Sequence, residues 1–82
     1  MEADPATRRL RWQCRRGMKE LDLLLERWLT DRYATAGDAR RQAFRRLLDS
    51  QDPELVAWLF QRERPADPDV ADLVDELLAG PG

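Results

Sequence analysis

Eighty-two residues carrying 14 basic and 16 acidic side chains, with 43% hydrophobic residues, describe one small domain with enough apolar side chain for a modest core. The net charge of −2 argues against a dedicated nucleic-acid binder, whose usual mark is a strongly basic domain. Zero histidines remove imidazole bases, His-containing metal sites and Ser/His or Cys/His nucleophile pairs, and the single cysteine, Cys14, can close neither an internal disulfide nor a CxxC cluster.

Met1 to Arg11 holds Glu2 and Asp4 and lacks the apolar stretch of a signal peptide. No apolar run approaches the ~18 residues of a membrane span. The expectation is a reduced, soluble, cytoplasmic protein that does not engage a membrane. Thirteen arginines against one lysine fit a GC-rich bacterial genome.

Asp-Pro occurs three times, at Asp4-Pro5, Asp52-Pro53 and Asp67-Pro68, each placing a side-chain acceptor at N-cap and a preset φ at N1. The first opens a short helix, Pro5 to Arg15, with Leu10, Trp12 and Cys14, ending or bending at Gly17. From Met18 to about Tyr33, the residues Met18, Leu21, Leu24, Leu25, Trp28 and Leu29 repeat at helical spacing and predict the strongest helix of the chain. Thr35 and Asp38 resemble a capping box opening a third helix, about Ala36 to Asp49, with Ala43, Phe44, Leu47 and Leu48 inward. A fourth runs from Asp52-Pro53 to about Arg62 with Leu55, Val56, Leu59 and Phe60 inward. Arg62 to Ala66 is a loop, since Pro65 disfavours helix before it. The last helix, Asp67 to about Ala79, buries Val70, Leu73, Val74, Leu77 and Leu78 and stops at Gly80-Pro81. Without any period-2 run of β-branched residues, these elements predict an all-α fold, a small five-helix bundle forming a single helical domain over residues 1–82 with short flexible ends.

Charge is unevenly spread. Up to Arg46 there are twelve cations against seven acids, a net of +5; beyond it, two arginines face nine acids, a net of −7. A dipolar molecule follows. Basic residues with Trp12 interleaved resemble a phosphate-binding surface, but Glu20 and Asp22 stand beside the densest basic run, against that reading.

Cys14-Arg15-Arg16-Gly17-Met18-Lys19-Glu20-Leu21-Asp22 packs three arginine or lysine side chains, two carboxylates and a glycine into nine positions. A carboxylate at Glu20 suits the first turn of a helix, and Arg16, four residues earlier, could pair with it in continuous helix. One reading is a capped helix start with a surface ion pair. The other is a place where the bare backbone of Gly17 lets a partner approach closely.

The same nine residues resemble the signature of the succinate dehydrogenase FAD assembly (flavinylation) factor family, whose core motif Arg-Gly-x-x-Glu is met by Arg16, Gly17 and Glu20. Phe44-Arg45-Arg46-Leu47-Leu48, Asp52-Pro53-Glu54-Leu55-Val56-Ala57-Trp58-Leu59 and Pro65-Ala66-Asp67 resemble later blocks of that family, in order, over about residues 8–78. Thr35-Ala36-Gly37-Asp38 departs from its usual acidic connection, and the tail after Leu78 is short.

The resemblance implies an assembly factor, not an enzyme, that binds the flavoprotein subunit of succinate dehydrogenase, with fumarate reductase flavoprotein as a further possible target. It would promote covalent flavinylation by stabilising a reactive conformation of that partner. It implies no cofactor of its own, the FAD belonging to the partner, and a chain monomeric when free. The expected partner-binding residues are Arg16, Gly17 and Glu20, with Asp22, Arg15, Arg8, Arg11 and Trp12 behind them; no catalytic or metal-binding residue is expected. Trp12 is either an exposed anchor or a packing residue, and Cys14 reads as a small buried hydrophobe. Trp28, Phe44, Trp58 and Leu59 are expected in the core.

The alternatives are a generic helical interaction module of antitoxin or adaptor type, indifferent to flavin, and a small helix-turn-helix DNA binder. An enzyme is the weakest option, because Glu20 and Asp22 are two apart and do not share a helix face.

Overall fold

The computed structural model describes residues 5–79. Five α-helices follow one another: α1 (Pro5–Gln13), α2 (Lys19–Asp31), α3 (Asp38–Leu48), α4 (Asp52–Phe60) and α5 (Pro68–Ala79), with a 3-10 turn, Tyr33–Thr35, between α2 and α3. Among the described residues there is no strand. Asp4 and Gly80-Pro81, the start and stop signals at the two ends, lie outside those residues.

Each helix contributes its apolar stripe to one core. Leu10 from α1 and Cys14 just beyond it, Leu21, Leu25, Trp28 and Leu29 from α2, Phe44, Leu47 and Leu48 from α3, Leu55 and Leu59 from α4, and Val70, Leu73, Val74 and Leu77 from α5 form a continuous buried cluster. Phe44 stacks on Trp28 at 4.7 Å between ring centroids, and Tyr33 meets Trp28 edge-on at 6.1 Å. Trp58 is half-buried against this cluster.

Several inward assignments change. Met18 is the N-cap of α2 and is exposed, Leu24 and Val56 are half-buried, and Phe60 and Leu78 are exposed. Phe60 and Leu78 lie in the last turns of α4 and α5, where fewer neighbouring elements remain to cover a side chain. The third helix starts later than the sequence pattern suggests. Thr35 belongs to the 3-10 turn and its hydroxyl bonds the Arg32 carbonyl, so α3 begins at Asp38 behind Gly37, without a side-chain cap.

At α4 the cap lies one residue earlier than the expected Asp52: Gln51 is the N-cap, and its N–H donates to Glu54 Oε1 at 3.0 Å. Asp67 caps α5 as expected, accepting from the N–H of Asp69 at 2.9 Å ahead of Pro68. Desolvation pushes the Asp67 carboxyl upward, but hydrogen bonds from Arg46 and the α5 backbone outweigh it and hold the group below the usual range. Arg62 closes α4 at φ 62°, a left-handed position usually given to glycine, and the Glu63 N–H bonds back to the Ala57 carbonyl at 3.0 Å.

Part of the charge asymmetry of the sequence is matched within the fold. Arg40 pairs with Glu76 at 2.9 Å, Arg46 with Asp67 at 2.9 Å, Arg41 donates to the Ala36 carbonyl at 3.0 Å, and Arg45 to the Tyr33 hydroxyl at 3.1 Å. Arg40 and Arg46 of α3 are thereby laid against acidic groups of α5 and its cap, while Arg41 and Arg45 reach back to neutral acceptors between α2 and α3. Further basic surface lies on α1 and the connection after it, where Arg8, Arg9 and Arg15 are exposed.

Candidate functional site

The Arg-Gly-x-x-Glu motif falls on the connection between α1 and α2. The helix α1 ends at Gln13, and the buried Cys14 anchors the connection, its N–H bonding the Leu10 carbonyl at 3.0 Å. Burial pushes the Cys14 thiol up to about 12, with Glu26 adding to the effect. A thiol so held is an inert apolar group.

Gly17 takes φ +85°, open to glycine and strained for other L residues. A Cβ built there meets nothing within 4 Å, so the space beyond Gly17 is open. Asp22, one turn into α2, holds this turn from behind: its Oδ1 accepts from the Arg16 N–H at 2.8 Å and its Oδ2 from the Gly17 N–H at 3.2 Å. Glu20 lies in the first turn of α2, where the helix dipole favours a carboxylate, and is exposed.

Arg16 does not pair with Glu20, because the helix is interrupted between them. Its side chain turns inward instead. Nε donates to the Gln13 carbonyl at 2.7 Å, Nη1 to the Ser50 carbonyl and Asp52 Oδ1 at 3.0 Å each, and Nη2 to the Leu48 carbonyl. The side chain is only 14% exposed. Thus the motif divides into an outward pair, Gly17 and Glu20, and an inward group, Arg16, with Asp22 bracing it.

Adjoining this turn, the structure brings Arg8, Arg11 and Trp12 of α1 and Arg15 of the connection together around one shallow pocket. Trp12 is 67% exposed, settling the choice left open by its position in favour of an exposed aromatic. The Arg15 guanidinium lies 5.5 Å from its ring centroid, and Arg11 reaches across to the Thr30 hydroxyl at 3.0 Å, tying α1 to α2. Next to this region Met18 and Leu23 are exposed, and Leu23 lines a groove with Lys19, Asp22, Glu26, Arg27 and Thr30. Neither was a candidate from sequence. Leu23 is nonetheless legible there as the apolar residue of α2 that falls off the inward repeat.

Among the described residues no group of three or more Cys, Asp or Glu side chains could hold a metal, and no helix is long and apolar enough to cross a membrane. The chemistry this surface offers is recognition: a bare backbone turn, an exposed carboxylate, an aromatic ring and arginine forks.

A family model described as flavinator of succinate dehydrogenase matches residues 8–80. Similar proteins include a FAD assembly factor SdhE of Idiomarina loihiensis, 38% identical over 95% of this chain and 87% of its own. Others are those of Shewanella oneidensis, 44% identical over 84% of each chain, and Methylococcus capsulatus, 48% identical over 87% and 86%. These relatives are named as assembly factors and not as catalysts. With a family match spanning nearly its whole length and relatives covering most of both chains, this chain belongs to the family of flavinators of succinate dehydrogenase.

Proposed function

We propose that this protein binds the flavoprotein subunit of succinate dehydrogenase and promotes covalent attachment of that subunit's FAD by favouring one reactive conformation of it. The observation that carries the reading is the Gly17 turn, open to solvent at a positive φ, within the motif on which the family resemblance rests. Gly17 supplies a backbone surface that a partner can approach to van der Waals distance, and Glu20 accepts a hydrogen bond from it. Trp12, with Arg8, Arg11 and Arg15 around it, provides an aromatic anchor with cationic rim, the residue types that dominate interface energetics. Arg16 and Asp22 belong to the same site by shaping it.

The covalent bond forms within the partner. This chain contributes binding energy, which accelerates the step only so far as it favours the reactive conformation over others. It carries no cofactor of its own, works as a monomer in the bacterial cytoplasm, and extends to fumarate reductase flavoprotein in so far as that subunit offers the same surface.

The test is co-expression with a succinate dehydrogenase flavoprotein subunit in a strain lacking its own factor, reading in-gel flavin fluorescence of the denatured subunit. Wild type raises the covalent band and a folded Gly17→Arg variant does not. A band that stays flat with wild type, the subunit folded and FAD supplied, overturns the proposal and leaves a generic interaction module.

A further inference from the structure

Asp52 lies 36 residues beyond Arg16 and outside the motif, yet among the described residues it is the one charged acceptor of the Arg16 guanidinium, at 3.0 Å. The other three acceptors are backbone carbonyls at or just beyond helix ends. Gln13 is the last residue of α1, Leu48 the last of α3, and Ser50 belongs to the turn into α4. Carbonyls at a helix C-terminus lack an intrahelical donor and carry the negative end of the dipole, so a cation is favoured there. Asp52 opens α4, where a carboxylate is favoured for the opposite reason. One guanidinium therefore joins the ends of α1 and α3 to the start of α4, using four of its five N–H groups.

This hub bears directly on Gly17. The backbone N–H groups of Arg16 and Gly17 are both held by Asp22 from α2, while the Arg16 side chain is held by α3 and α4. The residue preceding Gly17 is thus fixed both at its amide and at its guanidinium, by different elements, and the left-handed turn is held in one orientation. A preorganised surface binds without the ordering cost of a mobile one.

We infer that Asp52, acting through Arg16, is a positioning residue for the partner-facing Gly17 turn. Arg16 serves the motif as an internal clamp and its guanidinium does not meet the partner. The inference rests on the proposed function for its partner, but the clamp itself is measurable on the free protein.

The experiment compares Asp52→Asn with Glu54→Gln, which makes the same charge change in the same first turn of α4 and keeps the acceptor for the Gln51 N–H. Two quantities are read: amide hydrogen exchange of Arg16 and Gly17 in the free protein by NMR, and the flavoprotein concentration giving half-maximal flavinylation. Asp52→Asn keeps an oxygen acceptor but loses its charge. It is expected to speed exchange at both amides about fivefold to tenfold, the scale by which a hydrogen bond to a charged group exceeds one to a neutral acceptor, and to raise the half-saturating concentration by a similar factor at unchanged maximal rate. Glu54→Gln is expected to move neither. Should Asp52→Asn fail to fold, Arg16→Lys takes its place, since an ammonium keeps the charge but cannot span four acceptors.

Exchange and half-saturation equal to those of Glu54→Gln overturn the clamp. Faster exchange with unchanged half-saturation overturns its role in partner binding. A wild-type protein that fails to promote flavinylation sinks the functional reading instead, and the exchange rates still decide the clamp.

Discussion

The indole N–H of Trp28 on α2 donates to Glu76 Oε1 on α5 at 3.0 Å, while Oε2 of the same carboxylate pairs with Arg40 on α3 at 2.9 Å. One carboxylate thereby satisfies a buried donor and ties three helices around the Trp28–Phe44 stack. Glu76→Gln keeps an acceptor for the indole and loses the ion pairs, so it is expected to cost less than about 1 kcal/mol. Glu76→Ala leaves the indole N–H unsatisfied and is expected to cost about 1–3 kcal/mol. Urea unfolding followed by circular dichroism, with an unchanged slope, separates the two.

At Gly17 conformation and contact make different demands. Gly17→Ala keeps the side chain small but forces a Cβ into φ +85°, with an expected stability loss of about 1 kcal/mol. Gly17→Asn, better tolerated in that region, is expected to stay closer to wild type in stability while placing a larger group in the open space. Both should lose flavinylation, Asn at least as severely as Ala. Activity that follows stability across the pair, with Asn the more active, would point to backbone shape alone.

Cys14 gives the stability curve an alkaline slope. Its folded pKa, about 12, lies above the ordinary 9.0, so the unfolded chain releases its proton first as pH rises. The contribution is complete below pH 9.0 and is lost progressively toward about 12, at up to roughly 1.4 kcal/mol per pH unit. A Cys14→Ala variant should lose stability less steeply than wild type between those limits, whatever its starting value. In native protein at pH 8 the thiol should resist iodoacetamide and become reactive only on unfolding.

Trp12 is 67% exposed, so removing it should change stability by no more than about 0.5 kcal/mol. An interface anchor would nonetheless be costly to truncate, and Trp12→Ala is expected to raise the half-saturating flavoprotein concentration about tenfold or more. Superimposable flavinylation curves would remove Trp12 from the interface. Arg15→Ala, which takes away the guanidinium 5.5 Å from the ring centroid, should give a smaller shift in the same direction.

Periodicity and capping chemistry, both local properties, were enough to determine five helices, most of their inward faces, the break at Gly17 and the cap at Asp67. Local rules misplaced the start of α3, where Thr35 serves a 3-10 turn, and overstated burial at Met18, Phe60 and Leu78, whose exposure depends on which neighbours reach each helix end. The motif was legible as residue types but not as directions. Spacing offered Glu20 as the partner of Arg16; docking of α3 and α4 beside the connection supplied Leu48, Ser50 and Asp52 instead. Likewise the sequence displayed a basic half and an acidic half, and only the packing of α3 against α5 joined Arg40 and Arg46 of the one to Glu76 and Asp67 of the other. The sequence by itself determined which segments are helical and where the chain breaks, because those depend on neighbours within a turn or two. Which charges turn inward and which remain for a partner was decided by tertiary structure, because a guanidinium takes whatever acceptors the docked helix ends place within its reach.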